Sequence, residues 1–488
     1  MSKQDTIYAA QGSVQGEVYA KKWTNSPLFI FLSLIFIKYL YVFLAVNILE
    51  PYWYPGTGSY GIDFDPSKEI IASIVFIAIT LTYVHRGEKS TFHDALLHVI
   101  MVFFYIPVNS SYSINNLPTE FFVLTNCYCI LLILLLSNSR RTQNESNTLP
   151  DKSKEKPISL DANDLTDSMP IRIICFTVCT AFIIYKLSYN GLSFSLSIGS
   201  EYVYETRDTY VVYRNAIAGS FVSYLISAFT SLTEIITPVY FYLSLKRRRI
   251  IPVLISLLCV LSEYSMSSGK GSLFFLVIVI FVCILQKYDF IKSFKSFFSW
   301  GMIIILLLCW FAWHWINNDD FFMVIIRREM YFPAWINSMY YDFFSNNQKL
   351  MFGDSVFLLQ KLLPNPYGRS TVLELISSIY FMDTMPHPNT GLFAEAYMHL
   401  GALGIVIFPL ITCLIATFMN KAFVPYGDGF CVLLGVETAI AITNVPTLRT
   451  DFVLSHILLA FVFMFISKLY SDKTFIRKQA YQPGHSIF

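Results

Sequence analysis

Residues Asn317–Thr390 read NNDDFFMVIIRREMYFPAWINSMYYDFFSNNQKLMFGDSVFLLQKLLPNPYGRSTVLELISSIYFMDTMPHPNT. The stretch is too polar to cross a bilayer, yet strongly apolar runs lie on either side of it. It holds Arg327-Arg328, Tyr340-Tyr341-Asp342, Arg369 and the turn Pro386-His387-Pro388-Asn389. A long loop without a linker's composition is usually functional. This one is predicted to be the place where the chain does its chemistry, the plainer alternative being a cap that only stabilises a helix bundle. Within it, Ser370–Phe381 is apolar enough for a helix lying on or dipping into a membrane surface.

Outward from this loop the chain is mostly apolar. Hydrophobic residues make up 55% and charged residues 14%, against about 25% charged in soluble domains. The mean hydropathy is +0.53. The fold class is therefore all-α integral membrane protein. No basic surface suited to nucleic acid is present. A spanning helix needs about 20 apolar residues. The candidate runs are Pro27–Leu49, Ile70–Val84, Ala95–Val108, Phe121–Ser137, Ile171–Leu187 and Ile217–Leu245, then Ile250–Tyr264, Ser272–Gln286, Trp300–Ile316, Leu392–Thr417, Phe430–Ile442 and Phe452–Ser467. That predicts about twelve transmembrane helices. The first run is too long for a signal-peptide core and lacks a cleavage site of small residues. The nine Cys all fall inside apolar runs, where a free thiol packs as a small hydrophobe, so no disulfides are expected.

Lys and Arg collect on the cytoplasmic side of short loops. Lys21-Lys22, Arg140-Arg141, Lys246-Arg247-Arg248-Arg249, Lys287 and Lys473 all fall on one side if there are twelve spans and both ends are cytoplasmic. The predicted organisation follows. Residues 1–137 form an N-terminal membrane segment of four spans. Residues 138–168, rich in Ser, Asn, Asp and Lys and lacking aromatics, form a mobile cytoplasmic linker. Residues 169–316 form a central membrane segment with an external loop at 188–214, and 317–390 the large external loop. Residues 391–470 complete the membrane part, and 471–488 form a cytoplasmic tail.

Cations on the external face run against the positive-inside rule. They include Arg207, Arg214, Lys270, Arg327, Arg328, Lys349, Arg369 and Arg449. A charge near hydrocarbon is costly unless it is paired or serves a ligand, and an Arg fork matches phosphate oxygens. Convergence of several at a membrane surface suggests an anionic lipid-linked substrate such as a polyprenyl diphosphate. Local pairing is the alternative for Arg207 with Glu205 or Asp208, Arg328 with Glu329 and Arg449 with Asp451. Lys270 lies in SMSSGKGSL, where Gly269 and Gly271 permit tight re-entry of the chain; the segment lacks the full P-loop pattern. His387 stands between prolines that fix the backbone, just before a helix whose N-terminus favours anions. It is a candidate general base, with Glu395 the alternative. Glu234 and Glu263 are further carboxylates inside apolar runs. Tyr340 and Tyr341, with Asn389 and Arg449, are candidate sugar contacts.

The order of these features, with SGKG after the sixth span, YYDFF in the large loop and PNTGLFAEAYMHLGALG after it, resembles the Wzy-type oligosaccharide repeat-unit (O-antigen) polymerases across most of residues 170–470. The resemblance implies a GT-C-like glycosyltransferase fold in a bacterial inner membrane, with the active site on the periplasmic face. It implies undecaprenyl-diphosphate-linked oligosaccharides as donor and acceptor, membrane lipid as surroundings, and neither metal nor nucleotide sugar as cofactor. It leaves room for a chain-length regulator as partner. Arg207 and Arg214 match the arginine of the family's first large loop, and Arg327 and Arg328 that of the second. The diphosphate ligands implied are these four with Arg369 and Lys270. His387 with Asn389 is similar to the His-Asn pair of the related O-antigen ligases, although Pro388 separates the two here. A ligase of the same fold and a lipid-linked oligosaccharide transporter are the competing readings. A transporter is expected to show internal repeats, and none is found at the residue level.

Overall fold

The computed structural model describes residues 26–49, 62–86, 91–138, 168–191, 220–267, 271–316, 323–352, 372–381, 391–444 and 452–481, with 165, 363, 365–368 and 447 between them. In chain order the helices are α1 (Pro27–Leu49), α2 (Pro66–His85), α3 (Thr91–Ile114), α4 (Thr119–Asn138) and α5 (Met169–Asn190). Then come α6 (Ser220–Lys246), α7 (Ile250–Ser267), α8 (Gly271–Lys287) and α9 (Phe294–Ile316). A π-helical turn, Met323–Tyr331, leads into α10 (Phe332–Asn346), followed by α11 (Val372–Phe381) and α12 (Phe393–Leu400). After them come α13 (Gly404–Phe423), α14 (Asp428–Asn444) and α15 (Leu458–Tyr481), the last entered through a π turn at Val453–Ile457. Among the described residues there is no strand. A helix overlies each of the twelve apolar runs. Among the described residues seven segments are long and apolar enough to cross a membrane, so the chain is a multi-pass membrane protein.

The chain divides into two compact units, each drawn from separate parts of the sequence. Unit 1 takes 1–140, 289–414 and 439–447, and unit 2 takes 141–288, 415–438 and 448–488. The predicted split of four spans from eight does not coincide with this division, because α1 to α4 share a unit with α9 to α12. The predicted linker 138–168 lies almost wholly outside the described residues.

In unit 1, α3 is the central helix. It is buried along nearly its whole length, a helix with almost no solvent face. Its polar residues are met inside the unit. His98 joins the Tyr83 hydroxyl at 3.0 Å to the Ser299 hydroxyl at 2.9 Å, linking α2, α3 and α9. Lys38, fully buried in α1, pairs with Glu69 of α2 and donates to Ser73 at 3.2 Å. The Ser113 hydroxyl of α3 donates to the other oxygen of Glu69 at 2.6 Å. Asp65 caps α2 by accepting the Ser67 and Lys68 N–H groups, with Pro66 at the first helical position.

Two of the π segments have a local cause. Met101–Tyr105 stands just before Pro107, and Met323–Tyr331 just before Pro333. A proline ring clashes with the carbonyl four residues back and removes one ladder bond. Widening the preceding turn to the i→i+5 pattern accommodates it.

Unit 2 packs α5, α6, α7 and α8 together, with the π turn Val453–Ile457 against α6. Its interior holds a polar knot in which the Thr237 hydroxyl lies 3.1 Å from Glu263 and 3.3 Å from the Cys259 thiol. All nine cysteines are free.

Candidate functional site

Of the residues expected to carry the chemistry, Tyr340, Tyr341 and Glu395 stand on α10 and α12, which pack together, and Arg327 and Arg328 on the π segment that precedes α10. The segment read from sequence as loop begins with helix instead. α10 is buried on almost every face, only Asp342 and the last residues reaching the surface. Arg327 and Arg328 stand on the π turn that enters it. The Arg327 guanidinium lies over the Phe332 ring, 5.4 Å from its centroid, and is partly buried. Arg328 is exposed and reaches Glu329 at 4.0 Å. That pairing is the alternative anticipated for it, at the outer limit of an ion pair and worth little at such exposure.

Asn337 organises the junction. It is fully buried; its amide nitrogen donates to the Pro333 carbonyl at 2.6 Å, and its oxygen accepts the Ala394 N–H at 3.0 Å. The latter bond serves as an N-cap for α12. The cap position itself is Leu392, which has no side-chain acceptor and sits at φ +47°, ψ −107°. Such a conformation in a bulky residue persists only where its surroundings hold it. Here Gly391 donates to the Thr443 carbonyl at 3.1 Å and Ala396 to the Leu392 carbonyl at 3.0 Å.

Glu395, in the first turn of α12, is 1% exposed. One of its oxygens accepts both the Thr447 N–H at 2.7 Å and the Thr447 hydroxyl at 2.9 Å. Glu395 therefore ties α12 to Thr447.

Tyr340 and Tyr341, expected to face sugar, are 2% and 7% exposed. Tyr341 packs on Tyr397 at 5.0 Å and on Phe121 at 5.4 Å, and Tyr340 on Phe344. Their ring faces are already used by protein, so both are core residues here and not open stacking platforms. Burial and a bond to the Glu120 carboxylate push the Tyr341 hydroxyl up to about 12, which keeps it a donor. The segment Ser370–Phe381 holds the helix α11, whose Phe381 meets Trp335 edge-on at 5.6 Å. Tyr380 of α11 donates to Asp342 at 2.5 Å.

Lys349, one of the external cations noted in the sequence, and His399 make contacts that the sequence does not show. Lys349 projects over the Tyr397 ring at 4.9 Å, and its stem packs so closely on Gly401 that a Cβ there would come within 2.9 Å of Cε. Burial holds its ammonium below the ordinary lysine value. His399, fully buried in α12, clusters with Phe352 at 5.2 Å and Phe408 at 5.9 Å, with neither ring nitrogen hydrogen-bonded among the described residues. Nothing in the sequence marks His399 apart from any apolar-face histidine. The Lys349–Gly401 contact joins positions 52 apart and carries no local signal.

The Gly residues of the HLGALG motif have structural reasons. Gly401 ends α12 at φ +58°, ψ −138°, a region open to glycine alone. A Cβ at Gly404 would lie 2.0 Å from the Ala396 carbonyl oxygen.

His387, Asn389, Arg207, Arg214, Arg369, Lys270 and Arg449 lie outside the described residues. In unit 2, Glu263 is buried in the polar knot described above, and Glu234 is exposed on α6. That unit also holds a buried chain the sequence reading did not find: Ser455 bonds His456 at 2.8 Å, and His456 bonds Glu437 at 3.0 Å. Comparison with protein-family models, curated proteins and solved structures finds no match to this chain.

Proposed function

We propose that the chain is a metal-independent membrane glycosyltransferase that polymerises polyprenyl-diphosphate-linked oligosaccharide repeats at the periplasmic face of a bacterial inner membrane. This reading keeps the twelve-span, GT-C-like architecture expected from the sequence. The observation that supports it best is the junction of α10 and α12. One helix is introduced by two adjacent arginines; the other begins at a strained residue, carries a buried carboxylate, and directly follows the Pro386–Thr390 turn in sequence.

The chemistry required is displacement at an anomeric carbon. A hydroxyl of the incoming repeat attacks C1 of the donor, the C1–O bond to the diphosphate breaks, and the lipid diphosphate leaves with the electron pair. Arg327 and Arg328 would neutralise charge on that leaving group, together with Arg207, Arg214, Arg369 and Lys270. The hydroxyl proton needs an acceptor within about 3 Å. His387 suits this role, because the prolines beside it restrict its backbone and an imidazole with a pKa of about 6.5 is largely neutral at neutral pH. Glu395, with one oxygen receiving two Thr447 donors, fits a positioning role better than that of base: it holds Thr447 against α12.

The test uses purified protein and lipid-linked repeats. His387→Ala is expected to lower turnover at least tenfold with donor binding intact, and Thr447→Val to lower it less while impairing donor affinity. Near-normal turnover in His387→Ala beside a dead Glu395→Gln would move the base to the carboxylate. A strain lacking the chain is expected to display single repeats on its surface glycolipid; loss of all attached repeats would make the protein a ligase.

A further inference from the structure

His399 stands on the last turn of α12 with its ring completely buried, and neither nitrogen has a hydrogen-bond partner among the described residues. Buried polar groups are almost always paired. One left unpaired costs its full desolvation, which an apolar side chain of the same shape avoids. Packing alone therefore gives no reason for an imidazole here. The ring belongs to a cluster of three. Phe352 and Phe408 lie 5.2 and 5.9 Å from it and 6.2 Å from each other, with interplanar angles of 22°, 15° and 14°. Phe352 is the one ring of the three that reaches the surface.

Phe352 is carried by a strained turn. Met351 and Phe352, neither of them glycine, both have positive φ, at +46° and +69°. Bulky residues enter that region only where their surroundings hold them. Part of the hold comes from α12. Leu350 N–H donates to the Met398 carbonyl at 2.9 Å and Met351 N–H to the His399 carbonyl at 3.2 Å. The Lys349 stem lies against Gly401, the residue that ends the helix. Residues 349–352 are thus laid along the last turn of α12, with the Phe352 ring stacked with the imidazole. Met351 is 58% exposed, so the turn stands at the surface.

The chemistry of the cluster selects its ligand. A sugar ring has apolar C–H faces and a rim of hydroxyls. Aromatic faces suit the former, and a neutral imidazole, with one donor nitrogen and one acceptor, suits the latter. An anion fits less well, because the negative end of the α12 dipole lies beside His399. Sugar contacts were expected at Tyr340 and Tyr341, but those rings are enclosed by protein.

We propose that His399 is a substrate-contacting residue, which hydrogen-bonds a neutral sugar hydroxyl of the lipid-linked repeat when the Met351–Phe352 turn lifts from it. The proposal rests on the polymerase reading and adds to it a sugar subsite one helical turn from Glu395. Lifting the turn breaks two backbone hydrogen bonds and releases two positive φ angles. Binding then supplies the imidazole with the partner it lacks.

Full-length protein, purified in mild detergent, is assayed with lipid-linked repeats taken from a strain lacking the chain. His399→Phe keeps an aromatic ring and removes both nitrogens. It is expected to melt no lower than wild type, because an unpaired polar group is gone. It is expected to raise KM for the repeat about tenfold, the effect of one lost hydrogen bond to a sugar hydroxyl. A residue that only packs does not keep stability while losing affinity. A variant equal to wild type in KM and kcat overturns the proposal and leaves the polymerase reading standing, as does a lower melting temperature with unchanged KM. A second measurement does not depend on that variant. Diethyl pyrocarbonate acylates accessible neutral imidazoles, and the labelled peptide is read by mass spectrometry. His399 is expected to stay unlabelled in wild type without substrate, to react in Phe352→Ala, and to be protected about tenfold there when the repeat is added. Labelling that the repeat does not slow, while wild type joins repeats, overturns the proposal, and so does a His399 that stays unreactive in Phe352→Ala. If wild type neither binds nor joins repeats, the polymerase reading itself fails and the sugar subsite falls with it.

Discussion

Two glycines separate close packing that yields from close packing that does not. A methyl at Gly404 meets backbone, the Ala396 carbonyl at 2.0 Å, and neither helix turn can retreat without losing its ladder. A methyl at Gly429 meets the far ends of Tyr242 and Gln286, at 2.5 and 2.7 Å, which rotate away at the expense of their mutual hydrogen bond. Gly404→Ala is therefore expected to abolish accumulation of folded protein, a loss above about 4 kcal/mol. Gly429→Ala should cost about 1–2 kcal/mol. Thermal unfolding in detergent, with expression level, distinguishes the two. Asn337→Ala leaves the Ala394 N–H buried without its acceptor and is expected to cost about 1–3 kcal/mol. At Lys349 the sign of the pH effect follows from burial. The folded state lowers its pKa below the ordinary lysine value, so between the two values the unfolded chain binds more protons, and stability rises with pH across that window. Lys349→Met is expected to remove that rise, seen as a flatter melting temperature between neutral and alkaline pH.

At the scale of elements, helices in apolar runs were legible because about 20 consecutive apolar residues have few alternatives in a bilayer. α10 was not. Its sequence, FPAWINSMYYDFF, mixes aromatics with Asn, Ser and Asp and suggested an exposed loop. The polar side chains turn out to bond backbone: Asn337 to Pro333, Ser338 to Trp335 and Ser345 to Tyr341. Locally satisfied polar groups let such a helix bury every face, and this also explains why Tyr340 and Tyr341 are enclosed. Glu395 and the arginine pair were legible as ionisable groups beside apolar sequence. Asn337 was not, since its partner Ala394 lies 57 residues away. At Arg327 a planar fork over an aromatic ring is a geometry lysine does not reproduce. Arg327→Ala is expected to lower polymerising activity about tenfold to a hundredfold, and Arg327→Lys to recover only part of it in the purified assay.

For the whole molecule, the orientation expected from charge puts α10 outside and the α6–α7 turn inside the cell. In a cysteine-depleted background, Asn346→Cys is expected to react with an impermeant thiol reagent in intact spheroplasts, and Arg248→Cys only after the membrane is opened. The reverse pattern would invert the topology. The discontinuous make-up of unit 1 bears on how such a chain is made. α9 packs along α1, with Phe29 stacked on Trp300 at 6.0 Å, and the first 140 residues do not meet their unit's next segment until residue 289 has been synthesised. At about 5–20 residues per second, that gap of roughly 150 residues lasts about 8–30 s. During it α1 to α4 precede the α9 that packs along α1, and the Lys38–Glu69 pair ties α1 to α2. That ion pair is thus an early clasp in biogenesis, holding the first helices in register while the ribosome works through the other unit.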